Sequence, residues 1–253
     1  MTTTDKQDYI QLSADKVIDI IGSRRTMWFV HLQKTGGHSV MGLEVNHRSK
    51  FKFRCSSHGW MFSPKPSSSY HDEVLRNDKS KYVVYSHVRN PYDWLTSFYF
   101  HKPHGVGRVE QACETFKEFI LDIHGSNDRC RYFKQGETAK GDVRWPARYL
   151  QSWQTFDPLN TNGEKRSRAE FYIRCERMTE AYNNIFDTKI GHANKTRKKK
   201  DYRDCWDNEM IDLVTEKRGQ ELRLLGYDFN GPIDDACAIK VIGTYKFKSG
   251  NQT

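Results

Sequence analysis

Apolar positions along this chain fall into short runs and stripes separated by long polar stretches. Residues 28–32 (Trp-Phe-Val-His-Leu) and 82–88 (Tyr-Val-Val-Tyr-Ser-His-Val) are dense in aromatic and β-branched side chains, and both predict buried strands, the second central in its sheet. Phe51 and Phe53 alternate with charge and predict a short strand, as do residues 171–174, and 238–247 read as a terminal strand. Ile10, Val17, Ile18 and Ile21 stand near helical spacing and predict an amphipathic helix over 8–21. Asn90 as an N-cap and Pro91 at the first helical position start a helix over 92–101. Thr115-x-x-Glu118 is a capping box ahead of Phe119, Ile120 and Leu121. Residues 149–153 and 178–186 read as helical, and Asp207 caps a long helix that runs to Leu225 and stops at Gly226. Residues 63–69, 125–144 and 191–204 read as loops. Strands alternating with helices predict a parallel-sheet α/β domain spanning 1–253, with its core over about 26–230 and 231–253 as a C-terminal extension.

Composition narrows this little. The chain has 253 residues, no apolar run near the roughly 18–20 residues that cross a bilayer, and a polar N-terminus without a signal-peptide core, so a soluble, cytoplasmic protein is expected. Lys and Arg number 41 against 32 Asp and Glu, a net charge of +9 that suits a nucleotide, an acidic glycan or nucleic acid. Six scattered cysteines form no C-x-x-C pair, which argues for reduced thiols and against a metal site.

The chemistry concentrates just after the first strand. Residues 33–39 read Gln-Lys-Thr-Gly-Gly-His-Ser, a tight loop with two adjacent glycines and a helix start at Ser39. A strand, a glycine loop and a helix N-terminus gather free backbone N–H groups and the positive end of the helix dipole at one spot, which suits an anion. Lys34 adds a full charge, although a lysine in a loop is by default solvated. The loop is not a Walker A motif, whose Lys and Ser/Thr follow the last glycine; here Lys34 precedes Gly36 and Gly37, and His38 stands where that Lys would be.

This order, strand then Lys-Thr-Gly-Gly-x-Ser, resembles the 5′-phosphosulfate loop of sulfotransferases that use 3′-phosphoadenosine 5′-phosphosulfate (PAPS). His87-Val-Arg-Asn-Pro-Tyr-Asp-Trp-Leu-Thr-Ser97 is similar to the family's 3′-phosphate motif. Residues 171–180 with Asn184-Ile-Phe, and 194–204 leading to Leu225-Gly-Tyr-Asp-Phe229, resemble the C-terminal third of carbohydrate sulfotransferases of the heparan sulfate 2-O/6-O and bacterial types. The likeness implies a three-layer, P-loop-NTPase-like fold with a mainly parallel sheet, PAPS as donor, PAP as product, no metal, and a hydroxyl acceptor such as a glycan. It implies no nucleic-acid or membrane partner; the oligomeric state stays open.

The resemblance assigns the 5′-phosphosulfate to Lys34, Thr35, Gly36, Gly37, His38 and Ser39, with Lys34 also stabilising the departing phosphate. Arg89, with its bidentate fork, and Ser97, two helical turns on, are assigned to the 3′-phosphate. Lys195 and Arg197 in the basic loop are expected to close over the nucleotide. Transfer to a hydroxyl needs a base. His58, in His58-Gly-Trp60, resembles the His-Ala-Asp-Trp neighbourhood of heparan sulfate 6-O-sulfotransferases and is the first choice; His87 and Glu44 stand in reserve, and His31 reads as core. Two departures stand out: His38 where many members have Thr, and Trp94 where many have Arg, which removes a cation. Trp94, Phe98, Tyr99 and Phe100 read mostly as core. The competing classes are a P-loop-type phosphotransferase, disfavoured by the missing G-K-[ST], and a non-catalytic basic nucleotide- or nucleic-acid-binding protein.

Overall fold

The structure is a computed structural model that describes residues 8–31, 35–44, 50–55, 81–100, 115–124, 164–191 and 201–246. Its centre is a six-stranded sheet in the order β1 (Tyr9–Leu12), β9 (Ala238–Val241), β6 (Phe171–Arg174), β4 (Tyr82–Val88), β2 (Thr26–Val30), β3 (Lys52–Cys55). β6, β4, β2 and β3 are mutually parallel, β9 opposes β6, and β1 opposes β9, so β9 runs against the other strands of this sheet. Two small ribbons accompany it, β5 (Glu164–Arg166) with β10 (Thr244–Lys246), and β7 (Tyr227–Asp228) with β8 (Gly231–Pro232).

Both faces of the sheet are covered, which is why its strands read as near-continuous apolar runs. On one face Met27, Phe29, Val83, Tyr85, Phe171 and Ile173 pack under α1 (Ala14–Ile21), α2 (Gly37–Glu44) and α5 (Met178–Phe186). On the other, Val88, Tyr172 and Ile239 pack under α3 (Pro91–Tyr99), α4 (Phe116–His124) and α6 (Asn208–Leu225). The alternation of Phe171 and Ile173 with Tyr172 between these cores is the period of two that a pleated strand imposes. The fold class is therefore α/β, with a mixed, mostly parallel central sheet and helices on both sides.

Local signals place most helix ends. Asn90 accepts from Tyr92 N with Pro91 at the first position, Asp207 accepts from Met210 N, and Gly226 closes α6 in the left-handed region. The capping box forms in both directions: Glu118 N donates to Thr115 Oγ1, and Thr115 N donates to Glu118 Oε2. The expected helix over 8–21 is corrected in its first turn. Residues 9–12 are an edge strand on β9, and Ser13 caps a helix that begins at Ala14. Ile10 and Ile18 are exposed, so the buried stripe of α1 is Val17 and Ile21. The sheet also takes in β1 and β9, which lie outside 26–230; β9 sits between β6 and β1 rather than trailing as an extension. The piece expected at 149–153 and the loops at 63–69 and 125–144 lie outside the described residues. No helix among the described residues is long and apolar enough to cross a membrane, and Cys175, Cys205 and Cys237 stand outside any disulfide.

Candidate functional site

From β2 the chain passes through α2 to β3 on one side, then crosses to β4 on the other side of β2. β2 and β4 are paired neighbours, with Val30 opposite Ser86. The helix after β2 packs on one face of the sheet and the helix after β4 on the opposite face. The carboxyl ends of β2 and β4 are therefore a point where the strand order switches direction, which is where open α/β sheets place their ligands.

The loop after β2 forms one side of this point. Gly36 has φ +76°, a conformation that favours glycine. Gly37 is required for space: a Cβ there would lie 1.8 Å from the ring of His31. α2 starts at Gly37, two residues before the expected Ser39. Ser39 N donates to the Gly36 carbonyl at 3.0 Å, and the side chains of Thr35 and Ser39 are buried. His31 is buried and stacks on Phe29, in keeping with a core role.

The loop is tied to its neighbours through one carbonyl. Thr35 O accepts from His87 Nδ1 at 2.8 Å and from Cys175 Sγ at 3.2 Å. His87 Nε2 faces the Tyr182 hydroxyl at 3.0 Å, and that hydroxyl meets Tyr85 Oη at 2.9 Å. Burial drives the His87 pKa down to about 4, although its bond to Thr35 opposes the shift, so the ring is neutral at pH 7. His87 is thus corrected from reserve base to structural residue: it is fully buried and both ring nitrogens are engaged.

The second side begins two residues later. Arg89 directly follows β4, and its Nε donates to Asp93 Oδ2 at 2.6 Å; both side chains are largely buried. The pair orients the guanidinium but also sets a carboxylate one helical turn from it, which opposes anion binding there. Asp93, at i+4 from Arg89, was visible in the sequence as an ion-pair spacing. Ser97 is half-buried, a further turn along α3. Trp94 is 2 % exposed under the Arg218 guanidinium, 5.4 Å from its centroid, so the position is core rather than a site for a cation. Phe98 and Tyr99 are core as well, whereas Phe100 is 49 % exposed, contrary to expectation.

The turn that carries Arg89 is braced from β6. Glu176 Oε1 accepts from Asn90 N at 2.8 Å, and its Oε2 accepts from Tyr227 Oη at 2.9 Å. Asn90 Nδ2 donates to the Asp228 carbonyl at 2.8 Å. Cys175 and Glu176, consecutive in a short 3₁₀ turn, hence hold the first loop and the second turn respectively. Sequence reasoning missed both, because each pairs with a residue far along the chain.

The structure therefore brings Thr35, Gly36, Gly37 and Ser39 to the end of β2 beside Arg89 at the end of β4, with Ser97 along the following helix. Lys34, His58, Lys195 and Arg197, and the side chains of His38 and Glu44, lie outside the described residues. Compared with protein-family models, with curated proteins and with solved structures, the chain matches none.

Proposed function

We propose that this chain is a PAPS-dependent sulfotransferase of P-loop-like type, acting on a hydroxyl of an acceptor such as a carbohydrate. One observation carries the reading: a glycine-required loop and an arginine-bearing helix start stand at the carboxyl ends of two paired parallel strands. A nucleotide with phosphates at both its 5′ and 3′ ends needs two such anion sites, whereas a triphosphate needs one. The residues present fit that demand in their backbone: Gly36 supplies a positive φ, Gly37 lets the chain pass tight against His31, and α2 starts there.

When bound, the donor supplies an activated sulfuryl group. The loop N–H groups, Lys34 and Ser39 hold its 5′ side, and Arg89 with Ser97 holds the 3′-phosphate. Lys195 and Arg197 contribute charge from the basic loop. His58 takes the proton of the acceptor hydroxyl, and Lys34 stabilises the charge that develops on the departing phosphate. The strand order β3-β2-β4-β6 is also that of doubly wound mononucleotide folds. This favours, as a second reading, a nucleotide binder or phosphotransferase at the same strand ends.

Calorimetry with 3′-phosphoadenosine 5′-phosphate (PAP) tests the cofactor. The expected outcome is binding at least about tenfold tighter than AMP, lost in Arg89→Ala; equal affinity for the two nucleotides overturns the reading. Transfer of labelled sulfate to a glycan panel should then collapse in Lys34→Ala and in His58→Ala, with PAP binding preserved in the latter. Magnesium-dependent turnover of ATP without any response to PAPS would instead establish the phosphotransferase.

A further inference from the structure

His87 sits where a strand between two apolar layers should carry an apolar residue, and it is 0 % exposed. Its hydrogen bonds determine its tautomer. The Thr35 carbonyl only accepts, so Nδ1 carries the proton; Nε2 is then the acceptor and Tyr182 the donor. Tyr182 has only one hydroxyl proton, so in its 2.9 Å contact with Tyr85 it must accept. The chain of donors therefore runs Tyr85 to Tyr182 to His87 to the Thr35 carbonyl. Phe29, 4.5 Å away between ring centroids, keeps the imidazole in place from the β2 side.

The direction of that carbonyl matters because a trans peptide is planar, with its N–H pointing opposite to its C=O. With the Thr35 carbonyl turned onto His87, the N–H of Gly36 points the opposite way within the same peptide plane. The positive φ of Gly36 then carries the chain into α2. Resting on the sulfotransferase reading above, we propose that His87 is a positioning residue for the donor's 5′ end. By holding the Thr35 carbonyl it aims the backbone N–H groups of the glycine loop, and Tyr182 and Tyr85 keep it in the tautomer that can do so. His87 touches no reacting atom in this role.

The test compares two ligands that share the 3′-phosphate and differ at the 5′ end: PAP and adenosine 3′-monophosphate. His87→Phe keeps a ring in the core and removes the donor to Thr35. It should weaken PAP about tenfold, in the range for hydrogen bonds that serve a charged group, and leave adenosine 3′-monophosphate unchanged. His87→Asn, whose amide nitrogen falls close to the position of Nδ1, should recover most of the PAP affinity. Tyr182→Phe preserves the packing and should cost about threefold for PAP alone, which serves also where His87→Phe does not fold. In the wild-type chain, ¹⁵N spectra of the imidazoles should show His87 protonated at Nδ1 and bare at Nε2. Equal losses for both ligands, unchanged PAP affinity in His87→Phe, or the opposite tautomer would overturn the assignment of His87. A wild-type chain without affinity for PAP overturns the sulfotransferase reading itself, a result that these variants cannot mimic.

Discussion

Replacing Asp234 by alanine should be among the most damaging single changes outside the candidate site. Arg174 ends β6 with its side chain 0 % exposed, and Asp234, 11 % exposed, meets it through Nη1 at 2.5 Å and Nη2 at 3.0 Å. Nη1 and Nη2 also donate to the carbonyls of Asp234, Ala236, Leu225 and Gly226. The Tyr9 and Tyr227 rings lie 5.7 and 5.3 Å from the guanidinium carbon. Asp234 additionally accepts from Tyr9 Oη at 2.5 Å and from Ala236 N at 2.8 Å. One carboxylate thus ties β1, β6 and the segment leading into β9 together.

Truncating it leaves a buried guanidinium without its counter-charge, a change that costs about 3–5 kcal/mol. Urea unfolding at pH 7, followed by tryptophan fluorescence and far-UV circular dichroism, reads this as a lower midpoint at unchanged slope. The paired change Arg174→Met with Asp234→Leu removes both charges and should recover part of the loss. Recovery stays partial because four carbonyls lose the bond from Arg174. Burial pushes the Asp234 carboxyl up, but bonds from Arg174, Tyr9 and Ala236 N outweigh it and hold the group below its ordinary value. Its folded pKa is depressed, so this share of stability is full above the unfolded carboxylate pKa of about 4 and fades as pH falls through the folded value. A loss under about 1 kcal/mol in Asp234→Ala, or a double variant no better than the single one, would refute the account.

Three further outcomes are open to measurement. Gly37→Ala would place a Cβ 1.8 Å from the His31 ring and should cost about 1–3 kcal/mol by overpacking, much of it relieved in the double variant with His31→Ala; a neutral Gly37→Ala in thermal unfolding argues against the packing. His87 is depressed to about 4 from an ordinary 6.5, so the unfolded state binds its proton first and stability falls between those pH values; at about 1.4 kcal/mol per pH unit the drop is about 3 kcal/mol. His124, also lowered by burial first and then by Arg218, adds to the same limb, so His87→Phe should flatten the slope only in part, and an unaltered slope would contradict the buried neutral ring. Thr115→Ala removes the exposed acceptor for Glu118 N and should cost about 1 kcal/mol, measurable as a shift in urea midpoint; no shift would mean that the cap contributes nothing.

The division between what could be read from the sequence and what could not follows the range of the interactions. Helix ends were legible because their causes lie within four residues: Asn90 with Tyr92, Asp207 with Met210, Thr115 with Glu118. β1 was misread because its pairing with β9 joins Tyr9 to Val241, and no local period reports that; Ile10 fitted a helical stripe only by accident of spacing. The glycine loop and Arg89 were legible as separate anion sites. That the two stand side by side followed only from the strand order, which puts β2 beside β4 and sends their helices to opposite faces. The braces of the site stayed hidden for the same reason, since Cys175 reaches a carbonyl 140 residues away and Glu176 an amide 86 residues away.

His87 shows where local reasoning stops and what could extend it. In the run Tyr-Val-Val-Tyr-Ser-His-Val the histidine reads as a tolerated polar residue at a strand end, and so as a candidate base. Yet the strand is central and covered on both sides, so two ring nitrogens must find one acceptor and one donor without water. Backbone carbonyls inside a sheet or helix are committed to their ladders, and the nearest uncommitted ones belong to a loop at the carboxyl end of an adjacent strand. A histidine placed one residue before the end of such a strand is therefore poised to clasp the neighbouring loop, and the glycine loop after β2 is the one within reach. The burial that disqualifies His87 as a base is the same condition that makes it a fastener, because only a neutral ring keeps Nε2 free to accept from Tyr182 while Nδ1 donates to Thr35.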